Sequence, residues 1–403
     1  MTPEIKQRIE QIRRGEVPER YVKTALGLAP ANWKRYTFGD IYTERKEPGD
    51  ENLPLLMVSI HSGVSDGEVD AAELPKQVKR IEDKSQYKKA VSGDLVFNMM
   101  RAWQGAIGTV RTTGMVSPAY IVAEPNDKAY PLFMDYYSRT PQMINQIDRQ
   151  SYGVTDFRKR LYWDSFAPIG CILPPIAEQR KIAAILTTQD KVIELKEKRL
   201  AEKQRQKKYL MQQLLTGKKR LPGFIGKWKT FGFNEIFITI STKGHQINKA
   251  EYETKGRYPV IDQGRQMIAG YSNKAEKALM CPKEGVIVFG DHTREIKFVN
   301  FDFIVGADGT QLLSAKSKNA AIKYLFYYLS NKDIHSDGYS RHFKYVKEFT
   351  YRLPPLGEQT AIAEVLSAAD HEIDLLQQDI EQEKQKKKAL MQLLLTGIVR
   401  VKT

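Results

Sequence analysis

Several glycine-containing loops of the 403-residue sequence combine arginine, lysine or histidine with an aromatic ring or a glutamine. Arginine and glutamine can each form two hydrogen bonds to one base in the major groove, and lysine pairs with phosphate. The candidates for such contacts are Arg101, Trp103, Gln104, Arg158, Lys159, Arg160, His292, Arg294, Lys297, Arg341, His342 and Lys344. Any one of these loops alone is more often a solvated turn, so the hypothesis needs further support.

The net charge gives part of that support. Lys and Arg number 63 and Asp and Glu 48, so the chain carries +15 charges and has a pI near 9.4. Such an excess favours a polyanionic partner, most often a nucleic acid, although many basic proteins have none. The sequence has no apolar run of the length that spans a bilayer, no secretory signal pattern and only Cys171 and Cys281. We therefore expect no membrane association, no disulfide framework and a cytoplasmic location.

Catalytic motifs are not found in the sequence. There is no phosphate-binding G-x-x-x-x-G-K-[ST], no dinucleotide-binding G-x-G-x-x-G, and no Asn-Pro-Pro-Tyr or Asp-Pro-Pro-Tyr of the kind that amino-methyltransferases use. Asp291, Glu295 and Lys297 superficially resemble the acidic pair and lysine of a nuclease. The two acids lie too close along one turn, and the first half of the chain has no equivalent. We predict no catalytic residues and no metal site.

An internal repeat organises the chain. Residues 173–217 and 353–397 align without a gap at an offset of 180, and 20 of the 45 positions are identical. Each copy begins with Leu-Pro-Pro and ends with Leu-Leu-Thr-Gly. Upstream of each copy, Trp33-Lys34 and Trp228-Lys229 stand at matching distances from a Phe, an acidic residue and an Ile. The chain is thus built from two similar halves.

The repeated segments predict two long helices. Pro-Pro cannot continue a strand or lie within a helix, so it separates each helix from the preceding block. The helices are expected from about Ala177 to Thr216 and from about Gly357 to Thr396, which is about 60 Å for about 40 residues. In each, a stripe of mostly apolar residues repeats every seven positions, as in a coiled coil. We expect the helices to pair antiparallel, the alternative being that each packs only on its own domain.

Charged residues interrupt these stripes in one cluster of four. They are Lys203, Lys207, Glu383 and Lys387, at neighbouring stripe positions of the two copies. Two interpretations are equally supported by the sequence. The four form either a solvated part of a loosely wound coil or a place where partner subunits or DNA phosphates approach.

The two remaining blocks are expected to be mixed α/β domains. Strands are predicted at 53–60, 94–99 and 119–123 in the first block and at 258–261, 286–289 and 298–300 in the second, with helices at about 131–148 and 319–331. The fold class is therefore α+β, with two mixed α/β domains joined by two long antiparallel coiled-coil helices. The predicted segments are 1–32 (helix and leader), 33–172 (first domain), 173–217 (central helix), 218–227 (linker), 228–352 (second domain) and 353–403 (C-terminal helix).

The doubled Leu-Pro-Pro-x-x-Glu-Gln-x-x-Ile-Ala and Leu-Met-Gln-x-Leu-Leu-Thr-Gly motifs resemble the specificity subunits of type I restriction–modification systems. Segments 93–97, 117–120, 288–294 and 306–310 support the resemblance, which covers nearly the whole chain. It implies two target-recognition domains, each reading one half of a split target on double-stranded DNA. It also implies a circular, pseudo-twofold arrangement, in which the N-terminal helix predicted over 2–14 lies near the end of the second long helix.

The resemblance further implies that the chain is not catalytic. Two methylation subunits would dock on the paired helices and use S-adenosylmethionine, while restriction subunits would act as motor and nuclease with ATP and Mg²⁺. The alternative is a system that only methylates. Contacts with the methylation subunits are expected at Glu178, Gln179, Ile182, Leu186, Leu210, Leu214, Glu358, Gln359, Ile362, Leu366, Leu390 and Leu394.

Two other classes of function remain open at this point. One is a self-sufficient enzyme with a cryptic nuclease or methylase centre, and the other is a coiled-coil scaffold that does not read sequence. The duplicated helices with divergent blocks favour the DNA-reading adaptor. In an adaptor the helices would set the gap between two half-sites, because half-site spacing mirrors protein geometry.

Overall fold

A computed structural model describes residues 3–65, 86–153, 155, 158–316, 320–336, 338 and 340–401. The chain forms two compact units, one made of 1–195 together with 380–403 and the other of 196–379. Each unit therefore contains one block, the first part of one long helix and the last part of the other. Among the described residues, no helix is apolar over the length that a bilayer requires.

The first unit combines short strands with short helices ahead of the first long helix. The elements in chain order are α1 Pro3–Arg13, β1 Tyr21–Thr24, β2 Gly27–Pro30, β3 Lys34–Thr37, α2 Phe38–Ile41, β4 Tyr42–Glu44, β5 Val58–Ser59, β6 Gly63–Val64, β7 Lys88–Ala90, β8 Leu95–Asn98, β9 Ile107–Thr109, β10 Gly114–Val116, β11 Tyr120–Pro125, α3 Pro131–Tyr137, α4 Pro141–Arg149, α5 Trp163–Phe166, β12 Gly170–Leu173 and α6 Ile176–Leu214.

The second block repeats much of this order ahead of the second long helix. The elements in chain order are β13 Lys229–Phe231, α7 Phe233–Ile236, β14 Phe237–Ile240, β15 Gln246–Ile247, β16 Tyr258–Ile261, β17 Gly270–Ser272, β18 Val286–Gly290, β19 Ile296–Val299, β20 Ile304–Gly306, β21 Thr310–Ala315, α8 Ile322–Ser330, α9 Phe343–Glu348, β22 Tyr351–Leu353 and α10 Leu356–Leu395.

Each block contains a sheet of the same strand order, although the sequences of the two blocks scarcely align. Each contains a four-stranded antiparallel sheet, in the order β4-β11-β8-β9 in the first unit and β14-β21-β18-β19 in the second. The strand that enters each block pairs antiparallel with the strand that leaves it, so Lys34 faces Leu173 and Lys229 faces Leu353. The second unit adds a mixed sheet, β15-β20-β16-β17.

The long helices begin and end within two residues of the predicted bounds. The predicted stripe is confirmed, since its twenty positions are buried or half-buried in both helices. Within each unit, the start of one helix runs antiparallel to the end of the other. Later residues of one helix contact earlier residues of the other. Lys203 pairs with Glu372 and Lys196 with Asp379 in the second unit.

Each unit has a principal hydrophobic core in which its block and both helix segments meet. Ile182, Leu186 and Leu394 pack with block residues such as Phe133 and Phe166 in the first unit. The corresponding Ile362, Leu366 and Leu214 pack with Tyr324, Leu325 and Tyr351 in the second. Burying each such aliphatic side chain contributes about 1.5–3 kcal/mol. The block is thus held by both helices, and the alternative of a helix packing only on its own domain is wrong.

Most predicted block elements are present, with two differences. Within the predicted 53–60, only Val58 and Ser59 form a strand, and Leu55 makes an isolated bridge to Met115. The predicted helix 131–148 is divided into α3 and α4, where the Thr140 hydroxyl accepts from Met143 N and Pro141 begins the second helix. The N-terminal helix predicted over 2–14 is present as α1, and its first predicted residue, Thr2, lies outside the described residues.

Candidate nucleic-acid interface and helix junctions

In the first block, the two predicted basic loops lie together. The turn after β8 carries Arg101, Trp103 and Gln104, and the Lys159 ammonium lies 4.8 Å from the centroid of the Trp103 ring. Lys159 also pairs with Asp148 of α4 at 2.8 Å. Arg101, Gln104 and Arg158 are exposed, whereas Trp103, Lys159 and Arg160 are half-buried. The contact between Lys159 and Trp103 joins the two loops, and the exposed residues extend from them.

In the second block, the turn after β18 lies against segment 340–344. His292 Nδ1 lies 3.2 Å from the Ser340 carbonyl oxygen, and Asp291 Oδ1 accepts a hydrogen bond of 2.8 Å from Phe343 N. Arg294, Arg341 and Lys344 are exposed. Arg294 adopts a left-handed φ of 62° and donates to the Ile334 carbonyl oxygen at 3.0 Å. Since β18 is the counterpart of β8, both blocks place basic residues at the same position of the sheet.

Two predicted DNA-contacting residues have a different role. Lys297 is 7% exposed and its ammonium donates to the carbonyl oxygens of Asp262 and Gln266 at 2.8 and 2.5 Å. Burial lowers the pKa of Lys297. His342 is 1% exposed, and its Nδ1 lies 2.9 Å from the Asp291 carbonyl oxygen. Neither side chain has surface to offer a base, so both predictions are corrected: these residues shape the loops.

The neighbouring loop 262–268 contains no residue that was predicted from the sequence to contact DNA. Its Gln263 side chain accepts from His292 N at 3.2 Å, while Arg265 and Gln266 are exposed beside it. The loop has arginine and glutamine beside a glycine, the same pattern that predicted DNA contacts in the turn after β8. Arg265 and Gln266 therefore join the candidate interface of the second block.

Asp291 and Lys297, whose resemblance to a nuclease motif is superficial, make other contacts, and no group of three or more candidate metal ligands occurs among the residues that the structure describes. Asp291 is buried and its carboxylate is used by the Phe343 amide. The Lys297 ammonium is directed at the 262–266 carbonyl groups. These interactions account for the residue types that resembled a nuclease motif.

At the start of each long helix, a buried glutamate pairs with an arginine that follows the end of the other helix. Arg400 donates to Glu178 through two nitrogens, each at 2.7 Å, and Arg220 donates to Glu358 at 2.8 and 2.5 Å. Glu178 and Glu358 are 1% and 0% exposed. Hydrogen bonding to the glutamates raises the pKa of both arginines. The pairs tie the two helix ends of each unit together.

The next residue of each helix binds the block. Gln179 accepts from Tyr130 N at 2.8 Å and Gln359 accepts from Ala321 N at 2.9 Å. Tyr130 and Ala321 are the N-cap residues of α3 and α8. The side-chain nitrogens of both glutamines donate to a carbonyl oxygen of the Pro-Pro pair that precedes the helix, that of Pro174 or Pro354. The repeated Glu-Gln motif is therefore an intramolecular bracket.

The residues predicted to contact a methylation subunit are mostly inaccessible. Ten of the twelve are buried, and Leu210 and Leu390 are half-buried against the two cores. Their burial in the chain's own packing corrects the prediction. Exposed apolar side chains occur instead at two other pairs of repeat-related positions: Ile176 with Leu356, which are 37% and 42% exposed, and Leu195 with Leu375, which are 55% and 51% exposed.

The charged residues of the stripe form ion pairs within each unit. Lys203 Nζ lies 2.9 Å from Glu372 and Lys387 Nζ lies 2.5 Å from Asp190, while Lys207 pairs with Asp370. Glu383 accepts from Gln189 at 2.7 Å. The four residues are therefore not a loosely wound, solvated part of the coil. They form partly exposed bonds between the two helices.

Comparisons with known proteins agree with this architecture. The family model described as "Type I restriction modification DNA specificity domain" matches residues 225–385. The MjaX type I restriction enzyme specificity subunit of Methanocaldococcus jannaschii is 25% identical over 428 aligned positions, which cover 96% of this chain and 98% of that protein. The EcoR124I/EcoR124II specificity subunit of Escherichia coli is 27% identical over 28% of each chain.

Solved structures resemble the fold. The S subunit of a type I restriction–modification system from M. genitalium superposes with a TM-score of 0.61 at 13% identity, over 92% of this chain and 97% of that one. A chain from a structure concerned with assembly of a type I restriction–modification system gives a TM-score of 0.53 at 18% identity, over 92% and 99%. The family model thus matches the second block and most of α10, and the chain as a whole is similar to the specificity subunits of type I restriction–modification systems.

Proposed function

We propose that each unit of this DNA specificity subunit reads one half of a bipartite target on double-stranded DNA. The observation that carries the proposal is the recurrence of one sheet in both blocks, with basic loops at the same place and different residues in them. A common scaffold with divergent loops is what two readers of different half-sites require. The exposed residues assigned to base or phosphate contacts are Arg101, Gln104, Arg158, Arg265, Gln266, Arg294, Arg341 and Lys344.

The paired helices are proposed to set the gap between the half-sites and to dock two methylation subunits. Leu195 and Leu375 support the docking, because each is about half exposed on a long helix at equivalent positions of the repeat. An apolar residue displayed twice at related positions suits a partner that binds twice. S-adenosylmethionine, ATP and Mg²⁺ would be used by the partner subunits, and this chain would carry out no chemistry itself.

Selection of bound duplexes from a random DNA pool tests the two-reader model. The full chain is co-expressed with the methylation subunit that it captures, and bound sequences are determined at moderate salt. We expect two short half-sites around a gap of fixed length. A continuous motif contradicts the model, and salt-sensitive binding that is equal on all sequences favours a scaffold instead.

Single substitutions assign the half-sites. Arg101→Ala is expected to relax selection at one half-site only, and Arg265→Ala at the other only, each weakening discrimination by about 1–3 kcal/mol. Arg14→Ala is the matched control, since this guanidinium belongs to α1 and pairs with Glu10. Loss of both half-sites from one substitution contradicts the assignment.

Stoichiometry tests the docking surface. Native mass spectrometry should find two methylation subunits on the wild-type chain, one on Leu195→Glu or Leu375→Glu, and none on the double variant. Gln204→Glu adds the same charge at an exposed position on the opposite side of the same helix and should leave two bound. Two subunits on the double variant would exclude these leucines from the interface.

A further inference from the structure

A tyrosine, an aspartate and a lysine from three different elements meet in the first unit. The Tyr136 hydroxyl of α3 donates to Asp190 Oδ2 of α6 at 2.5 Å. The other oxygen of Asp190 lies 2.5 Å from the Lys387 ammonium, near the end of α10. Tyr136 belongs to the block, Asp190 to the helix that leaves it and Lys387 to the other helix. The Lys387 ammonium also lies 5.5 Å from the centroid of the Tyr136 ring.

The second unit has the same arrangement. The Tyr327 hydroxyl of α8 donates to Asp370 Oδ2 at 2.7 Å, and Lys207 pairs with Asp370 Oδ1. The Lys207 ammonium lies 5.7 Å from the centroid of the Tyr327 ring. A second hydroxyl stands beside each tyrosine, that of Thr187 at 3.4 Å and that of Ser367 at 3.2 Å. We call these two groups the junction triads.

The recurrence of the tyrosine is not explained by the sequence repeat. The aspartates and lysines are related by the offset of 180 that relates the helices, but the tyrosines lie in the blocks, 191 residues apart. Each is the sixth residue after the N-cap of its helix, and each N-cap amide is bound by Gln179 or Gln359. Two blocks with little common sequence thus contact the helices through the same two points.

Each block helix, α3 or α8, is attached to the long helices at two points, and two points constrain its orientation more than one would. The glutamine holds the beginning of α3 or α8, and the aspartate holds a residue nearly two turns later, so together they fix the direction of that helix and its rotation. Tyr136 and Tyr327 are 1% and 2% exposed, so neither ring can turn freely. The lysine binds the remaining oxygen of the same aspartate. The contact between tyrosine and aspartate therefore also involves the other long helix, which carries the lysine.

We propose that the junction triads are positioning devices that fix the orientation of each recognition block on the helix pair and thereby the gap length at which its half-site is read. The proposal rests on the function proposed above. It assigns no DNA contact to the six residues. Their substitution should alter which gaps are accepted and leave the half-site sequences unchanged.

The test compares Tyr136→Phe and Tyr327→Phe with Tyr209→Phe in the full chain, co-expressed with the captured methylation subunit. Phenylalanine keeps the ring and removes only the hydroxyl that reaches the carboxylate. Tyr209 is 49% exposed, and its ring contact with Lys219 survives the change. Affinity is measured for duplexes with the selected gap and with gaps one base pair shorter and longer. We expect the preference for the selected gap to fall about tenfold in the two junction variants, the effect of about 1.4 kcal/mol, and to be unchanged in the control.

Lysine variants give a second, independent measurement. Lys387→Met and Lys207→Met keep the apolar stem and remove the charge, and Lys191→Met removes an exposed lysine paired with Glu194 as a control. Broader gap tolerance with unchanged half-sites supports the proposal. Unchanged gap preference in the junction variants, with or without a lower melting temperature, overturns it, because a merely structural bond would affect stability alone.

Failure of the proposed function gives a different result. If the wild-type chain selects no split motif, the two-reader model is wrong and the triads cannot set a gap. If the wild type selects a split motif and the junction variants keep its gap preference, only the triad proposal is wrong.

Discussion

At the scale of single residues, buried tyrosine hydroxyls are held in their protonated form. Burial, together with the hydrogen bond to Asp190, raises the pKa of Tyr136 to about 12. Burial also raises the pKa of Tyr42, Tyr324 and Tyr351 above the ordinary value. A phenol in water ionises near pH 10. The folded chain therefore keeps protons that the unfolded chain releases in moderately alkaline solution.

The pKa of Tyr136 predicts a specific pH dependence. Because the folded-state pKa lies above the unfolded one, the stabilisation is fully present below pH 10 and is lost as pH rises from about 10 to about 12. The difference in unfolding free energy between the wild type and Tyr136→Phe should therefore shrink across this interval. Urea unfolding at pH 8, 10 and 11 measures it, with Tyr209→Phe as control. A difference that stays constant with pH contradicts the raised pKa of Tyr136.

At the scale of elements, the blocks are joined to the helices by backbone groups as well as by side chains. Gln179 and Gln359 satisfy the N-cap amides of α3 and α8, which would otherwise be left without partners at buried helix starts. Each glutamine is 1% or 0% exposed, so water cannot replace it. The Glu-Gln pair of the repeat is thus required by the architecture of both units.

Removing the hydrogen bonds of one of these glutamines should lower the free energy of unfolding. Gln359→Leu leaves the Ala321 amide and the Pro354 carbonyl oxygen buried and unpaired, at about 1–3 kcal/mol for each group. We expect a clear fall in the free energy of unfolding, measured with urea. Gln385→Leu is the matched control, because its side chain is exposed on the same helix and donates to Glu381 at 3.1 Å. Equal stability of the two variants would show that the bracket is dispensable.

The sequence predicted the elements better than the contacts between them. The repeat and its apolar stripe were sufficient for both long helices, because their period depends on local sequence alone. The junction tyrosines could not be found, since Tyr136 and Tyr327 lie in blocks that do not align. Nor could the burial of Lys297 and His342 be foreseen, because it depends on how distant loops fold over them. Loop composition indicated the basic turns after β8 and β18, but it could not predict which of their side chains are exposed and which are buried.

At the scale of the whole molecule, the two units share their long helices. Residues 176–195 of α6 belong to one unit and 196–214 to the other, and α10 is divided after residue 379. The ion pairs of each unit join one early and one late helix segment, such as Lys203 with Glu372 and Lys387 with Asp190. A change of length in one helix alone would therefore disturb the matching of the two.

Lengthening both helices together should preserve their matching and increase the gap between the half-sites. Four residues inserted after 195 and four after 379 lie between the units' own ion pairs, and each insertion adds about 6 Å, little more than one helical turn. At 3.4 Å per base pair, the doubly lengthened chain should select the same half-sites with a gap longer by one or two base pairs. Selection from a random duplex pool measures this directly. A single insertion is the control and should weaken binding or stability, because only one helix is lengthened. An unchanged gap in the double variant, with both half-sites retained, would show that the helices do not set the spacing.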